Sequence, residues 1–511
     1  MKYDVIVIGG GPGGYHAAIK ASSSGLTTLL IEKAALGGVC LNEGCIPTKT
    51  LLYSAKLYDN AINGEKYGVY IESAKLDHKA VLRRKAKVIR VLGAGIRSAL
   101  ADAGVTCVSA QARLCGRADR PRCTAVMQGD DIRTPGASVH EKAAYVYKGA
   151  ISTEEATSAE EAASVYGEVA SAQDIDVLVG DAVYCGANII LATGSRPVLP
   201  GIPGVQEALA SGFLLTSTEA LSLDEAPRSL AVVGGGVIGL EMAYYYNNAG
   251  SKVTVLELLP EIGGVTDAGI SAELASEMSR KGITILTQSA VARVGEGSVS
   301  YRDAQSGGIL ELSCDKVLMA VGRTPNIDDL GLNEVGVLYA RGGVITDDFC
   351  RTNIPGVYAV GDINGKYMLA HTAYREAEAC INHILGVDDP MDYNSIPMVL
   401  YTNPEAAFVG DTLESAQKKG CDCTELVLPL RHSGRYLAEN ESANGLCKAV
   451  VDRSSRRILG LHMVGNHSSE VIYGAGMMIQ SGMCVDDVEK VVFPHPSVSE
   501  IIKAVLTGGL A

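Results

Sequence analysis

The hydrophobic pattern near the start of the chain predicts a buried strand that leads directly into a glycine-rich turn. The apolar run at 5–8 meets the motif Gly9-x-Gly11-x-x-Gly14, and a helix-like stretch follows. The next apolar run, "TTLLIE", ends at Glu32, 18 residues after Gly14. This order predicts a βαβ unit that binds a dinucleotide, because the glycines let a pyrophosphate approach the N-terminus of a helix and the acid bonds a ribose.

The same pattern returns in the stretch "SLAVVGGGVIGLEMA". Gly234, Gly236 and Gly239 repeat the spacing, and Glu257 again lies 18 residues after the last glycine. One such motif is a weak signal, but two copies with their acids at equal offsets predict two dinucleotide sites. The second site suits NAD, because a carboxylate repels a 2′-phosphate and no Arg or Lys occurs between Glu257 and Met278.

Composition bounds the class of protein. A chain of 511 residues is expected to form three or four domains. The net charge of −14 argues against nucleic acid as a partner. No apolar run reaches the ~18 residues of a membrane span, and the first residues show no secretory signal, so we expect a cytoplasmic protein without a membrane partner. Thirteen scattered cysteines fit a reducing compartment.

Two cysteines stand close together in the stretch "GGVCLNEGCIPTK". Cys40 and Cys45 are five residues apart, a step of ~8–9 Å between Cα atoms on an ideal helix. A disulfide rarely spans more than ~7 Å, so the segment must bend at a residue such as Gly44 if the two are to bond. The spacing alone leaves two interpretations open, a labile redox pair or two small buried thiols.

Taken together, these residues give the chain a resemblance to the pyridine-nucleotide–disulfide oxidoreductases. It most resembles the members that oxidise protein-bound dihydrolipoamide with NAD. The resemblance covers residues 1 to about 104 and about 188 to the end. Besides the fingerprints and the cysteine stretch, it rests on "LATGSRP" (191–197), "AVGRTPN" (320–326), "VYAVGDI" (357–363), "MLAHTAYREAE" (368–378) and "HPSVSE" (495–500).

The resemblance implies two cofactors, with FAD at the first fingerprint and NAD at the second. The residues expected to contact FAD are Gly9, Gly11, Gly14, Glu32, Lys49, Thr193, Gly194, Asp362, Met368, Leu369, Ala370 and His371. Those expected to contact NAD are Gly234, Gly236, Gly239, Glu257, Val291 and Gly322. No metal is expected. The thiols Cys421 and Cys423 are close to each other in sequence, but one residue between them is poor spacing for zinc and no second pair follows.

The resemblance also implies a catalytic set. Cys45 would be the thiol nearest the flavin, and Cys40 the thiol that exchanges with substrate sulfur. His495 would deprotonate the substrate thiol, held in place by Glu500. Lys49 would lie beside the flavin, paired with Glu241.

The expected fold is α/β, with two Rossmann-like domains that bind FAD and NAD and a C-terminal α+β dimerisation domain. The domains are expected at 1–227 for FAD, 228–325 for NAD, 326–395 for a central segment that returns to the FAD, and 396–511 for the interface of a homodimer. The first strand begins at residue 3, so we expect the lipoyl group to arrive on another protein. That partner would be the acyltransferase of a 2-oxo acid dehydrogenase complex or the carrier protein of glycine cleavage.

One region departs from the resemblance. Residues from about 107 to 187 include a turn-rich stretch and an acidic, alanine-rich, helix-like stretch. This insertion is interpreted as a surface excursion, with partner docking or a lid as alternatives. Rival functions are a glutathione or mercuric ion reductase, or a flavin-binding scaffold. Glu257 argues against the NADPH-using glutathione enzyme, and no terminal cysteine pair supports the mercuric one. The cysteine pair with His495 and Glu500 argues against the scaffold.

Overall fold

The computed structural model describes residues 2–116, 171–264, 267–304, 306–441 and 444–508. Within it the chain divides into two compact units, each built from three stretches. The first unit contains Met1–Pro47, Ala86–Pro197 and Arg323–Met391, and the second contains Thr48–Lys85, Val198–Gly322 and Asp392–Ala511. The predicted domain limits near residues 227, 325 and 395 stay a prediction.

A seven-stranded sheet forms the centre of the first unit. Its strands are β1 (Lys2–Ile8), β2 (Thr28–Glu32), β3 (Thr106–Ser109), β4 (Arg113–Gly116), β5 (Ile175–Val179), β6 (Ala182–Leu191) and β19 (Val357–Ala359). The order is β3-β2-β1-β6-β5-β4, and β19 also pairs with β6. Strands β1, β2, β3, β6 and β19 pair in parallel, whereas β4, β5 and β6 form an antiparallel meander. The central parts of β1, β2 and β6, at 5–8, 29–31 and 189–191, are apolar and buried on both faces, as expected for strands between layers.

Short elements complete the first unit. Its helices are α1 (Pro12–Ser23), α2 (Gly38–Asn42), α9 (Leu332–Val335) and α10 (Ala370–Ile384). Two small antiparallel ladders join β7 (Ser195–Pro197) to β16 (Arg323–Pro325) and β17 (Tyr339–Ala340) to β18 (Gly343–Val344). Along the chain, α3 (Cys45–Ile62) and α4 (His78–Asp102) each contain a point where one unit gives way to the other. Helix α1 buries Ala17, Ala18 and Ala21, and these small side chains allow close packing against α10.

The second unit contains a fully parallel five-stranded sheet. Its strands are β8 (Leu214–Leu215), β9 (Ser229–Val233), β10 (Lys252–Leu256), β11 (Thr284–Leu286) and β15 (Lys316–Met319), in the order β11-β10-β9-β15-β8. The associated helices are α5 (Val205–Ala210), α6 (Ser217–Ala220), α7 (Val237–Asn248) and α8 (Ala268–Arg280). Helix α7 buries eight of its residues, because its apolar face continues around most of the helix. This sheet contains the second fingerprint.

Two antiparallel sheets complete the second unit. The smaller contains β12 (Ser289–Val294), β13 (Ser298–Asp303) and β14 (Ile309–Ser313). The larger contains β20 (Met398–Leu400), β21 (Ala406–Gly410), β22 (Cys423–Pro429), β23 (Leu446–Asp452) and β24 (Ile458–Val464). Its helices are α11 (Leu413–Lys418), α12 (Gly434–Glu439), α13 (Ser468–Gln480), α14 (Val485–Glu489) and α15 (Glu500–Thr507). Short 3-10 turns lie in both units. Those of the first are Ala172–Asp174 and Gly361–Asn364, and those of the second are Glu65–Tyr67, Tyr393–Ser395 and Leu430–His432.

The predicted fold class is confirmed: two fingerprint sheets are present, and an α+β region follows them. The flanks of the predicted insertion belong to the first sheet, since β4 and β5 pair at Gly116 and Ile175. Residues 117–170 of the predicted insertion lie outside the described residues, and they include nearly all of its turn-rich stretch and of its acidic stretch.

Candidate active site

The first fingerprint forms a turn in which two positions, Gly9 and Gly14, leave no room for a side chain. Gly9 has φ +110°, and a Cβ there would lie 2.2 Å from the carbonyl oxygen of Ala192. A Cβ on Gly14 would lie 1.8 Å from the carbonyl oxygen of Gly9. Gly11 precedes α1 and has no side chain to cap it, so the first N–H groups of the helix can bind a phosphate. The turn thus fits a dinucleotide pyrophosphate.

Glu32 closes this turn from the end of β2. Its carboxylate accepts a hydrogen bond from the Gly10 N–H at 2.6 Å and another from the Ala34 N–H at 2.6 Å. The acid is therefore held at the edge of the glycine turn by two backbone donors. This is the position that a ribose-binding acid occupies after the second strand of a βαβ unit.

The second fingerprint repeats this geometry. Gly234 has φ +104°, and its Cβ would lie 2.4 Å from the carbonyl oxygen of Ala320. A Cβ on Gly239 would lie 2.0 Å from the carbonyl oxygen of Gly234. Glu257 accepts from the Gly235 N–H at 2.5 Å and from the Leu259 N–H at 2.7 Å. Gly236 precedes α7 as Gly11 precedes α1, so this turn fits a second dinucleotide.

Other residues predicted at the second fingerprint are spread over neighbouring elements of the same unit. Val291 lies on β12, whose backbone is irregular between Val291 and Arg293. Gly322 follows β15 with φ +124°, a backbone conformation that favours glycine. Both belong to the unit that contains Gly234 and Glu257.

Asp362 lies in the Gly361–Asn364 turn and is tied to two residues that the sequence analysis did not single out. Its carboxylate accepts a hydrogen bond from the Ser195 hydroxyl. Arg323 donates to the Ser195 hydroxyl at 2.7 Å and to the Ser195 carbonyl at 2.8 Å. Burial raises the pKa of Asp362, and the Ser195 hydroxyl and the Arg323 charge act in the opposite direction. The signal for this cluster was the pair of motifs "LATGSRP" and "AVGRTPN", which meet as strands β7 and β16.

Thr193 and Gly194 lie just before β7. The Thr193 hydroxyl donates to the Asn326 carbonyl at 2.8 Å, and the Asn326 side-chain amide donates to the Thr193 carbonyl at 2.9 Å. Gly194 has φ +72° and accepts from the Asn326 N–H at 2.9 Å. This reciprocal pairing fixes the backbone of a segment predicted to contact FAD.

The predicted flavin-lining stretch leads into α10. Met368 and Leu369 precede the helix, and Ala370 and His371 form its first two residues. The His371 side chain is exposed. The stretch lies in the same unit as the first glycine turn.

The two cysteines of the predicted redox pair lie on either side of a break between helices. Cys40 belongs to α2, and Cys45 is the first residue of α3. The break falls at Glu43 and Gly44, and a Cβ on Gly44 would lie 2.9 Å from the carbonyl oxygen of Val39. The segment is therefore bent, as bonding between the cysteines would require. The N-terminus of α3 also favours a negative charge on Cys45.

Two tyrosines that the sequence analysis missed are found within electrostatic reach of these cysteines. The hydroxyls of Tyr15 and Tyr374 are 2.5 Å apart, and their rings meet edge to face. Burial raises the pKa of Tyr374, and the hydroxyl of Tyr15 and the charges of Cys40 and Cys45 raise it further. Tyr15 directly follows Gly14, but nothing in the sequence indicates that residue 374 would meet it.

Lys49 and Glu241 form an ion pair in the second unit. The Lys49 ammonium donates to both carboxylate oxygens of Glu241 at 2.9 Å. The Glu241 side chain is 3% exposed, and that of Lys49 is 33% exposed. Glu241 also accepts from the Tyr401 N–H at 3.1 Å, and the Lys49 ammonium lies 4.5 Å from the centre of the Tyr401 ring. A buried carboxylate of this kind requires such partners.

His495 and Glu500 form a second pair in this unit. His495 Nδ1 lies 3.0 Å from a carboxylate oxygen of Glu500, whose other oxygen accepts from the Ser497 N–H at 2.8 Å. The Ser497 N–H and the imidazole hold the pKa of Glu500 below its usual value. The imidazole is 81% exposed, so its second nitrogen is accessible from outside this chain. A carboxylate-oriented imidazole of this kind can act as a general base.

Comparison with known proteins shows the family of the chain. The model of the family described as pyridine nucleotide-disulphide oxidoreductase matches residues 3–377, and the model of its dimerisation domain matches residues 396–506. A protein named dihydrolipoyl dehydrogenase from Rhizobium etli is 34% identical over 509 residues, covering 98% of this chain and 97% of the relative. One of the same name from Chlorobaculum tepidum is 35% identical over 509 residues, covering 98% and 96%.

Solved structures show the same fold. LpdA from Mycobacterium tuberculosis superposes with a TM-score of 0.78 at 24% identity, covering 99% of this chain and all of that one. The HOCl-induced flavoprotein disulfide reductase RclA from Escherichia coli gives 0.76 at 25% identity, covering 99% of this chain and all of that one. Across the described ranges, no helix is long and apolar enough to cross a membrane.

Proposed function

Because the chain belongs to the pyridine nucleotide-disulphide oxidoreductase family, we propose that it oxidises protein-bound dihydrolipoamide to lipoamide and reduces NAD⁺ to NADH. FAD and NAD are the cofactors of this enzyme family. Relatives named dihydrolipoyl dehydrogenase, aligned over nearly the whole chain, support this substrate. The observation that carries the proposal is the pair of matching glycine turns, each closed by its own acid, in a chain that also has a cysteine pair at a helix start.

In this proposal the first glycine turn holds FAD, with Glu32, Thr193, Asp362 and the stretch 368–371 as further contacts. When bound, FAD accepts two electrons from a dithiol and passes them to NAD⁺. The second turn holds NAD. Glu257 gives the preference for NAD over NADP, because a 2′-phosphate would meet a carboxylate fixed by two backbone donors.

The cysteine pair would carry out the exchange with substrate. A substrate thiolate attacks the sulfur of Cys40, breaks the Cys40–Cys45 bond and releases Cys45 as a thiolate. The second substrate thiolate attacks the mixed disulfide, closes the lipoyl disulfide and releases Cys40. The two electrons lost by the substrate dithiol then reside on the two cysteine thiolates, and the two protons pass to the base and to solvent. The helix N-terminus at Cys45 favours the thiolate.

His495 would be the base that takes the proton of the attacking substrate thiol. Glu500 holds the imidazole and stabilises its charged form. The imidazole is 81% exposed and lies in the region that matches a dimerisation domain, so we infer that it serves the cysteine pair of the other copy in a homodimer. A two-fold interface would then give two equal sites, each built from both chains.

A heterodimer tests this sharing. Neither a Cys45→Ser chain nor a His495→Gln chain should be active as a homodimer, but one site of a mixed dimer would contain an intact cysteine pair and an intact base. We expect the mixed dimers to recover up to about half of the activity per dimer, the share set by one of two equal sites. Mixed dimers as inactive as both parents would place the base within the same chain.

The substrate is tested with the purified protein. We expect bound FAD and NADH formation from dihydrolipoamide and NAD, with little activity from NADP. Turnover is then compared with two lipoyl carriers, a lipoyl domain from a 2-oxo acid dehydrogenase acyltransferase and the carrier protein of glycine cleavage. The carrier that is turned over faster identifies the partner. We place enzyme and partner in the cytoplasm. Faster turnover of NADPH with glutathione disulfide would contradict the proposal.

A further inference from the structure

Tyr401 contacts both members of the ion pair between Lys49 and Glu241. The Tyr401 N–H donates to Glu241 at 3.1 Å, while the face of the Tyr401 ring lies 4.5 Å from the Lys49 ammonium. The backbone N–H bonds the carboxylate directly, and the negative face of the ring attracts the ammonium. One residue therefore contacts both members of the pair.

The segment that contains Tyr401 is itself anchored at its other end. Asn403 is buried, and its side-chain amide donates to Asp59 at 2.8 Å. The same Asp59 oxygen accepts from the Tyr244 hydroxyl at 3.0 Å and from the Lys281 ammonium at 2.6 Å. Asp59 lies on α3, the helix of Lys49, and Tyr244 lies on α7, the helix of Glu241.

Two polar contacts therefore connect α3 to α7, and the segment 401–403 bonds to both. Lys49 with Glu241 forms the first contact, and Asp59 with Tyr244 forms the second. Thr402, between the two anchors, is buried and donates to the Pro404 carbonyl at 2.6 Å. The ring of Tyr401 is thus fixed against the ammonium by a segment with little freedom to move.

We propose that Tyr401 is a positioning residue that fixes the Lys49 ammonium and thereby favours electron uptake by the flavin. The inference rests on the proposed function and on the expectation, implied by the family resemblance, that Lys49 lies beside the flavin. A fixed cation beside a ring that gains electrons stabilises the reduced ring. An ammonium released from the tyrosine face would spread over more positions and stabilise it less.

The test measures the equilibrium of flavin reduction against a redox dye in the purified holoenzyme. Tyr401→Leu removes the ring and keeps the backbone donor, and we expect it to lower the reduction equilibrium constant about five- to tenfold. Tyr401→Phe keeps the ring and should stay within about twofold of wild type. Tyr67→Leu is a matched control, because Tyr67 also lies beside a lysine ammonium, that of Lys66, at 5.3 Å. It should leave the equilibrium unchanged.

An unchanged equilibrium in Tyr401→Leu overturns the inference, and so does an equal shift in Tyr401→Phe. If Tyr401→Leu fails to hold FAD, Tyr401→Met keeps more of the side-chain length and has the same expected shift. Turnover of dihydrolipoamide with NAD is measured on the same wild-type preparation. A wild-type holoenzyme that binds FAD but does not act on dihydrolipoamide contradicts the proposed substrate, while the dye equilibrium still tests Tyr401.

Discussion

The two glycine turns have the same backbone but differ in the side chains that follow them. In each turn, a Cβ on the last glycine would lie about 2 Å from the carbonyl oxygen of the first, at 1.8 Å for Gly14 and 2.0 Å for Gly239. In each, an acid accepts from the N–H between the first two motif glycines, at 2.6 Å for Glu32 and 2.5 Å for Glu257. The dinucleotide turn is repeated because steric fit and one backbone bond define it.

The helices that leave the two turns have diverged. Two residues after the last glycine, α1 has His16 and α7 has Glu241. His16 lies 3.2 Å from Glu378, and both side chains are more than a third exposed. Glu241 is almost fully buried and pairs with Lys49. The turn therefore determines that a dinucleotide binds, and the helix face that follows determines what else the site can do.

The largest effect is expected from breaking each turn in the same way. Gly14→Ala and Gly239→Ala each place a Cβ against a backbone oxygen, so the turn must shift. We expect Gly14→Ala to purify without FAD, and Gly239→Ala to keep FAD but bind NADH about 100-fold more weakly. Flavin absorbance and NADH titration measure the two effects. Gly236→Ala is the control. Its Cβ would meet open space, so this variant should fold normally, and comparison with it separates steric damage from lost binding. Loss of FAD in Gly239→Ala would refute the assignment of the turns.

A smaller effect is expected from the two diverged helix positions. Glu241→Ala leaves Lys49 without its carboxylate and should lower the free energy of unfolding by about 2–3 kcal/mol, less than for a fully buried pair because Lys49 is 33% exposed. His16→Ala should cost less than about 1 kcal/mol. Denaturant unfolding of both holoenzymes measures the difference. Equal losses would show that burial does not separate the two positions.

The two acids sharpen the comparison further. Glu257→Arg should shift the ratio of NAD to NADP turnover about tenfold or more toward NADP, because a guanidinium bonds a phosphate. Glu32→Arg should leave that ratio unchanged, because it lies in the turn assigned to FAD. Steady-state rates with both nucleotides test the pair. A shift in Glu32→Arg as large as that in Glu257→Arg would show that the turns are assigned wrongly.

The smallest effect is expected where the first sheet differs most from the second. Strands β4 and β5 pair at Gly116 and Ile175, so the chain leaves and re-enters the first sheet at neighbouring positions. Replacing residues 117–170 by a short glycine-serine linker should therefore keep FAD bound and turnover within about threefold. Absorbance and activity of the shortened protein measure this. Loss of FAD would make the removed residues a structural part of the first sheet.

The sequence predicts some parts of this site much better than others, for a physical reason. The glycine turns are local, because a few residues and a nearby strand determine their sterics. The contacts of Ser195 with Asp362, of Tyr15 with Tyr374 and of Tyr401 with Glu241 join residues more than 150 positions apart. No spacing rule reaches that far. These contacts depend on which strands become neighbours and which helices pack, and only the assembled fold determines that.

The central claim is that electrons enter through the cysteine pair in the unit of the first turn and leave to the nucleotide at the second. Anaerobic mixing of the holoenzyme with one substrate at a time tests it directly, with flavin absorbance as the signal. Dihydrolipoamide without NAD should bleach the flavin of the wild type but not that of Cys40→Ser. NADH should bleach both. Bleaching of Cys40→Ser by dihydrolipoamide at the wild-type rate would show that electrons do not pass through the cysteine pair and would contradict the account.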